Sequence, residues 1–208
     1  MKNIAVFASG RGTNFSAISR AVKKGYIRAN LALLVCDQPK AGVIKRAKGS
    51  GVKVALVKRE DYSTKKDFEA KIQEYLMVEK IDLIAMAGFM RLLSVEFVNA
   101  YKGRIINIHP ALLPSFKGSS AIKDAFAYGV KTAGVTVHFV DEEMDHGPII
   151  LQKAVKVEED DTLESLEGTI HKIEHKIYPE AIKLIVEGRL KVEGRKVVIF
   201  NSAKLLPK

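Results

Sequence analysis

The sequence predicts an α/β fold: a Rossmann-like, doubly wound, mostly parallel sheet with antiparallel strands added in the C-terminal half. Three observations carry this. Short apolar runs alternate with amphipathic helical stretches through the first half of the chain, which implies right-handed crossovers between parallel strands. A glycine-rich turn, Ser9-Gly10-Arg11-Gly12-Thr13-Asn14, joins the first apolar run to the first helical one. After the helical stretch that ends at Tyr128, two strand-like runs follow one another with only an acidic loop between them, the pattern of an antiparallel addition.

Taken in order, residues 3–8 (NIAVFA) read as a buried strand, and the stretch from the glycine turn to about residue 24 as a helix. Residues 29–36 give a second strand, ended by Asp37-Gln38-Pro39. A helix over 43–48, a strand over 52–57 and a long amphipathic helix over 63–79, carrying Phe68, Ile72 and Leu76, follow. A strand over 81–87 leads to a short helix over 94–101 with Ser94 as its N-cap. Residues 104–109 form the fifth strand, stopped by Pro110. Pro110 and Pro114 frame Ala-Leu-Leu, a spacing that fits a special turn. A helix over 121–128 precedes the strands 134–139 and 149–157 and the loop 140–148 between them. In 163–178, Leu163, Leu166, Ile170, Ile173 and Ile177 recur at helical spacing, and Pro179 is expected to end that helix because it lacks an amide hydrogen. Runs 190–192 and 196–200 around Glu193-Gly194 read as a terminal hairpin.

The chain has 208 residues, 47% hydrophobic and 28% charged, which fits one domain over 1–208 and excludes a disordered or fibrous chain. Residues 1–100 form a half built around the glycine turn, and 101–208 a half built around the polar cluster described below. The single cysteine, Cys36, excludes an intramolecular disulfide and a cysteine-built metal site, and its place at a strand end reads as core. No apolar run nears the ~18–20 residues needed to cross a bilayer, and no signal-peptide h-region opens the chain, so a cytoplasmic protein is expected. Net charge is +10, and residues 1–60 hold 13 basic side chains against two acidic ones, Asp37 and Glu60. That concentration fits an anionic partner or a solvated lysine surface. Aromatics are not interleaved with the basic residues and no nucleic-acid motif is present, so the expected partners are small molecules, with no nucleic acid and no membrane, acting on a monomer or homodimer.

A glycine-rich turn that opens a helix exposes backbone N–H groups beside the positive end of the helix dipole, an anion site to which Arg11 adds charge. The dinucleotide fingerprint needs glycine where Phe15 stands, and Asp37 would be its ribose-binding acid. A single phosphate is the better fit, needing only the turn, the helix end and the side chains of Thr13 and Asn14; a plain tight turn remains the alternative.

Further along, Asn107 and His109 are two apart in a strand and so project to one face, at the carboxyl end where open α/β sheets bind ligands. An amide beside an imidazole can donate to a developing oxyanion, and the imidazole can move protons. Asp145, in the acidic loop, would supply the carboxylate. No Gly-x-Ser-x-Gly elbow or activated cysteine is present, which points to direct attack by a substrate group.

The segment Asn107-Ile108-His109-Pro110-Ala111-Leu112-Leu113-Pro114-Ser115-Phe116-Lys117-Gly118, with Thr136-Val137-His138-Phe139-Val140-Asp141 and Asp145-His146-Gly147-Pro148-Ile149-Ile150, resembles the glycinamide ribonucleotide formyltransferases of purine biosynthesis. The likeness extends from the glycine turn through Ala87-Gly88-Phe89-Met90-Arg91 to Glu174-His175-Lys176-Ile177-Tyr178-Pro179. It implies the formyltransferase fold and transfer of a formyl group from 10-formyltetrahydrofolate, the co-substrate, to the amine of glycinamide ribonucleotide, with no metal. By the same resemblance Asn107, His109 and Asp145 are catalytic, and Gly12, Thr13, Asn14 and Glu174 hold the ribonucleotide. Phe89, Met90, Arg91, Leu92 and Leu93, together with Asn107 and the loop residues Val140, Asp141, Glu142, Glu143, Met144 and Asp145, line the folate pocket. Lys65 falls where some relatives bind folate's acidic tail, keeping the charge of arginine without its fork.

The nearest rivals are a formyltetrahydrofolate hydrolase, which shares the trio but carries an N-terminal regulatory domain, and a methionyl-tRNA formyltransferase, which carries a C-terminal RNA-binding barrel. From another class, His171-Lys172-Ile173-Glu174-His175 spells the inverted zinc-peptidase pattern, with His171, Glu174 and His175 as its metal and acid groups.

Overall fold

A computed structural model of the chain describes residues 1–200. Five strands run parallel: β1 (Asn3–Phe7), β2 (Asn30–Cys36), β3 (Lys53–Leu56), β4 (Leu83–Met86) and β5 (Ile105–His109). The strands β6 (Thr132–Phe139) and β7 (Ile149–Lys156) continue the sheet antiparallel, as the broken rhythm predicted. The hairpin of β8 (Leu190–Glu193) and β9 (Lys196–Ile199) closes that edge, tied to β7 by the pair Ile149 and Lys196. The sheet order is β3-β2-β1-β4-β5-β6-β7-β9-β8. Winding therefore reverses between β1 and β4, and a crevice opens at the carboxyl ends of strands on either side of such a reversal.

Strand alternation builds two cores. Ile4, Val6, Leu34, Leu83, Ala85, Ile106 and Ile108 face α1 (Thr13–Lys23), α2 (Gly42–Gly49) and α6 (Leu163–Val186). Ala5, Phe7, Leu33, Val35, Ile84 and Ile105 face α3 (Lys65–Val78) and α4 (Val95–Ala100). Phe15, which replaces the third fingerprint glycine, is fully buried in the first core. The caps sit where the sequence puts them: Ser94 Oγ accepts from Phe97 N–H, while Thr64 accepts from Asp67 N–H and so starts α3 at Lys65. A further helix, α5 (Ala121–Tyr128), follows the Pro110–Pro114 turn, whose Leu113–Pro114 bond is cis.

One boundary expectation fails. Pro179 does not end its helix: α6 runs 24 residues straight through it. A proline removes one backbone hydrogen bond, here to the His175 carbonyl. Against that single loss, Ile177, Tyr178, Ala181, Ile182 and Leu184 are all buried on either side of it, and each buried apolar side chain contributes roughly 1.5–3 kcal/mol. The Tyr178 hydroxyl also donates to the Met86 carbonyl at 2.7 Å, which pins this turn beneath β4.

Candidate functional site

The glycine turn leaves β1 and enters α1 with Gly12 at φ 77°, the left-handed region. A Cβ there would lie 2.5 Å from Val43 Cβ and Cγ2, so both conformation and space demand glycine. The first turn of α1 has no side-chain cap and no acidic side chain, so its amides lack an intrahelical partner. Beside them Asn14 Nδ2 donates to Glu174 Oε2 at 3.0 Å, across 160 residues of chain. Glu174 is only 5% exposed, so it is not a surface carboxylate. It also meets His171 Nδ1 at 3.1 Å, while His171 Nε2 meets Arg11 Nη2 at 3.3 Å. The hydrogen bond to Glu174 holds the His171 pKa above its usual value, against burial and the Arg11 charge.

On the other side of the reversal, the segment after β4 forms a wall. Met90 and Leu92 are 67% and 68% exposed, whereas Phe89 is buried and packs edge-on against Phe7, so it offers backbone to the cleft. Arg91 Nε donates to Asp37 Oδ2 at 2.8 Å, and Ser9 Oγ donates to Asp37 Oδ1 at 2.5 Å while accepting from Met90 N–H. Asp37 is therefore no ribose-binding acid. Its carboxylate is buried and consumed in joining the glycine turn to this wall. Burial pushes its pKa up, but the hydrogen bonds from Ser9, Arg91 and Gln38 outweigh that and hold it below the usual range.

The predicted trio converges. Asn107 and His109 project from β5 on one face, and Asp145 meets them from the loop 140–148. Asp145 Oδ2 accepts from Gly118 N–H at 2.9 Å and lies 3.5 Å from His109 Nδ1, while its Oδ1 lies 3.4 Å from Asn107 Nδ2. His109 is buried, with Nε2 2.8 Å from the Phe116 carbonyl oxygen. That nitrogen therefore donates to backbone. Asp145 itself sits at φ 49°, a left-handed conformation uncommon outside glycine. Gly147, two residues on, has no room for a side chain, because a Cβ would overlap the Phe139 carbonyl.

Sequence reasoning missed His138. It pairs with Asn107 across β5 and β6, and its Nε2 lies 3.4 Å from Asn107 Nδ2 and 3.8 Å from Asp145 Oδ1. Its Nδ1 donates to the Phe139 carbonyl at 2.7 Å, leaving Nε2 as an acceptor. Burial pushes its pKa down despite that bond and the Asp145 charge, which keeps the ring neutral. The available signal was period two: Thr136 and His138 share a strand face as Asn107 and His109 do.

One cleft of about 660 Å³ unites these groups. Gly12, Thr13, Asn14 and Glu174 lie along it with the 89–93 wall, Asn107, His109 and residues 140–145. Lys65 is not among its lining residues; it is exposed at the first position of α3. A cleft of this size suits a drug-sized ligand, and Met90, Leu92 and Met144 offer it apolar surface. The zinc reading is not supported. Both ring nitrogens of His171 are engaged, one by Glu174 and one by the Arg11 guanidinium. Among the described residues no three His, Cys, Asp or Glu side chains are placed to hold a metal ion.

Comparison with known proteins agrees with this geometry. Residues 2–182 match the family model described as formyl transferase. The chain is 51% identical over 186 residues to the phosphoribosylglycinamide formyltransferase of Bacillus subtilis (strain 168), covering 89% of this chain and 95% of that one. It is 37% identical to the Haemophilus influenzae phosphoribosylglycinamide formyltransferase over 100% of this chain and 97% of that one. The crystal structure of glycinamide ribonucleotide transformylase 1 from Symbiobacterium toebii superposes with a TM-score of 0.94 at 44% identity, covering 97% of this chain and 95% of that one. The chain belongs to the formyl transferase family, among the phosphoribosylglycinamide formyltransferases.

Proposed function

We infer that this protein transfers the formyl group of 10-formyltetrahydrofolate to the amine of glycinamide ribonucleotide, by direct attack through a tetrahedral intermediate. The observation that carries the site assignment is that Asn107 and His109 each lie within 3.5 Å of the Asp145 carboxylate, in a cleft that has an anion-ready glycine turn along it. The ribonucleotide phosphate takes the Gly12–Asn14 amides and its sugar side faces Glu174; the pterin lies between the 89–93 wall and the 140–145 loop.

The neutral substrate amine attacks the formyl carbon, and the carbonyl oxygen becomes an oxyanion within reach of the Asn107 amide. His109 can donate to that oxygen only when its Nε2–H leaves the Phe116 carbonyl, so ligand binding displaces the segment around Phe116, itself at φ 51°. Asp145 accepts the proton lost by the amine, directly or through one water, and that proton passes to folate N10 as the C–N10 bond breaks. Formyl carbon, proton and electron pairs balance without a metal or a covalent enzyme intermediate. The chain works in the cytoplasm on small molecules; among the described residues no helix is long and apolar enough to cross a membrane.

The test is to mix the protein with both substrates and follow the folate absorbance change. Turnover dependent on the ribonucleotide is the expected result. Folate consumed at the same rate without ribonucleotide would make the protein a hydrolase instead, and no consumption in either mixture would overturn the reading.

A further inference from the structure

The terminal hairpin lies beyond residues 2–182, the part matched by the family model, yet its turn reaches the folate-side loop. Arg195, between β8 and β9, donates from Nη2 to the His146 carbonyl at 2.6 Å, and its Nη1 lies 3.0 Å from His146 Nε2 and 3.4 Å from Nδ1. Nδ1 also lies 2.8 Å from Asp141 Oδ2. The imidazole is thus held between the Asp141 carboxylate, at Nδ1, and the guanidinium, whose Nη1 lies within reach of both ring nitrogens. Asp141 Oδ1 then accepts from Glu143 N–H at 3.2 Å. A chain of charge-assisted hydrogen bonds thus runs from the hairpin turn through His146 into the loop that carries Asp145.

We propose that Arg195 is a positioning residue for formyl transfer, which acts through His146 to hold the 141–145 loop in the shape that forms the folate-side wall and brings Asp145 to His109. The proposal rests on the site assignment above. Three features make the loop dependent on such a tie. Asp145 sits in a left-handed conformation that other contacts must sustain. The loop side chains Glu142 and Glu143 are exposed and contribute little packing. The hairpin pairs with β7 at Ile149, three residues beyond His146, which sets its turn against the end of this loop. Misplacing a reacting group by about 1 Å can cost on the order of 100-fold in rate, so a tie made one residue from Asp145 reaches the chemistry.

The experiment uses the full chain with Arg195→Ala, Arg195→Lys, His146→Ala and the double variant, varying each substrate in turn. Arg195→Ala is expected to raise KM for 10-formyltetrahydrofolate about fivefold and lower kcat about threefold, with KM for the ribonucleotide held within about twofold. Arg195→Lys, which keeps one donor for the His146 carbonyl, recovers part of both losses. The double variant is expected to fall well short of the product of the two single effects, since both act along one chain, and to be worse than His146→Ala alone only by the carbonyl contact which that variant keeps. Should Arg195→Ala fail to fold, Arg195→Gln carries the same test. Unchanged folate KM and kcat, an equal rise in both KM values, or singles whose effects multiply in the double variant would each overturn the proposal. If Asp145→Asn also retains turnover, the site assignment has failed; if Asp145→Asn is inactive and Arg195→Ala normal, only this proposal has.

Discussion

Asp145→Asn changes one atom and is the sharpest probe of the site. The carboxylate faces donors on both oxygens, Gly118 N–H at 2.9 Å on Oδ2 and Asn107 Nδ2 at 3.4 Å on Oδ1, and His109 Nδ1 lies 3.5 Å from Oδ2. An amide has one acceptor oxygen. If it stays with Gly118, the new NH2 group points at the NH2 of Asn107, donor against donor. The fold loses one charge-assisted contact at a side chain 10% exposed, a net cost of about 1–2 kcal/mol, which shifts Tm by only about 2–8 °C in a chain of this size. Turnover loses far more, because an amide cannot take the proton of the attacking amine. General acid–base roles contribute about 10²–10⁴-fold, or about 3–5 kcal/mol of barrier. The Asn14–Glu174 contact shares no atom with this cluster, so KM for the ribonucleotide stays put. Steady-state kinetics and a thermal melt on the same preparation decide the matter. Turnover within tenfold of wild type, or a kcat loss that merely follows weakened ribonucleotide binding, would refute the assignment.

Other outcomes follow from the same contacts. Gly12→Ala places a methyl group against Val43 at φ 77°, combining a left-handed cost of about 1–2 kcal/mol with overpacking of about 1–3 kcal/mol; urea unfolding should register about 2–5 kcal/mol along with loss of ribonucleotide binding, and a neutral result would refute the steric reading. Asp37 has a lowered pKa, so its contribution to stability is complete above about pH 4 and fades as pH falls through the lower folded value; the stability gap between wild type and Asp37→Asn should shrink on acidification, and a gap independent of pH would contradict the pairing with Arg91. His171 has a raised pKa, so its pairing with Glu174 stabilises fully below about pH 6.5 and is lost as pH rises through the raised value. Glu174→Gln should move the His171 midpoint, followed by its ring proton resonances, down in pH, and an unmoved midpoint would show that Glu174 is not its partner.

Much of this was legible in the chain because the physics is local. Period two alone placed Asn107 and His109 on one face, and the glycine turn marked the passage from the first strand into a helix. The order of elements matched throughout, since apolar periodicity and the Ser94 cap are written within a few residues of where they act. What failed depended on partners distant in sequence. Asp37 looked like a free acid at a strand end, and only the fold shows Arg91, 54 residues on, consuming it. Pro179 looked like a helix stop because a local rule cannot weigh the buried residues that flank it. His138 was overlooked because the register of β6 against β5 is nowhere encoded locally.

The antiparallel pairing of β7 with β6 is what makes the polar face of β5 usable. A parallel neighbour would need a crossover connection, usually a helix, and helices pack onto the faces of the sheet. An antiparallel neighbour needs only a loop. The loop 140–148 leaves beside Ile105, where Val140 N–H donates to the Ile105 carbonyl, and re-enters the sheet at Ile149 opposite His138. Its start and finish are therefore both fixed near the head of β5, and its middle must fold back across the face that carries Asn107, His109 and His138. The bare backbone of Gly147 lets its last turn lie against the Phe139 carbonyl, which draws Asp145 down onto the amide and the two imidazoles. A cluster that a crossover helix would bury is thus covered by nine residues of loop, with a carboxylate held against it.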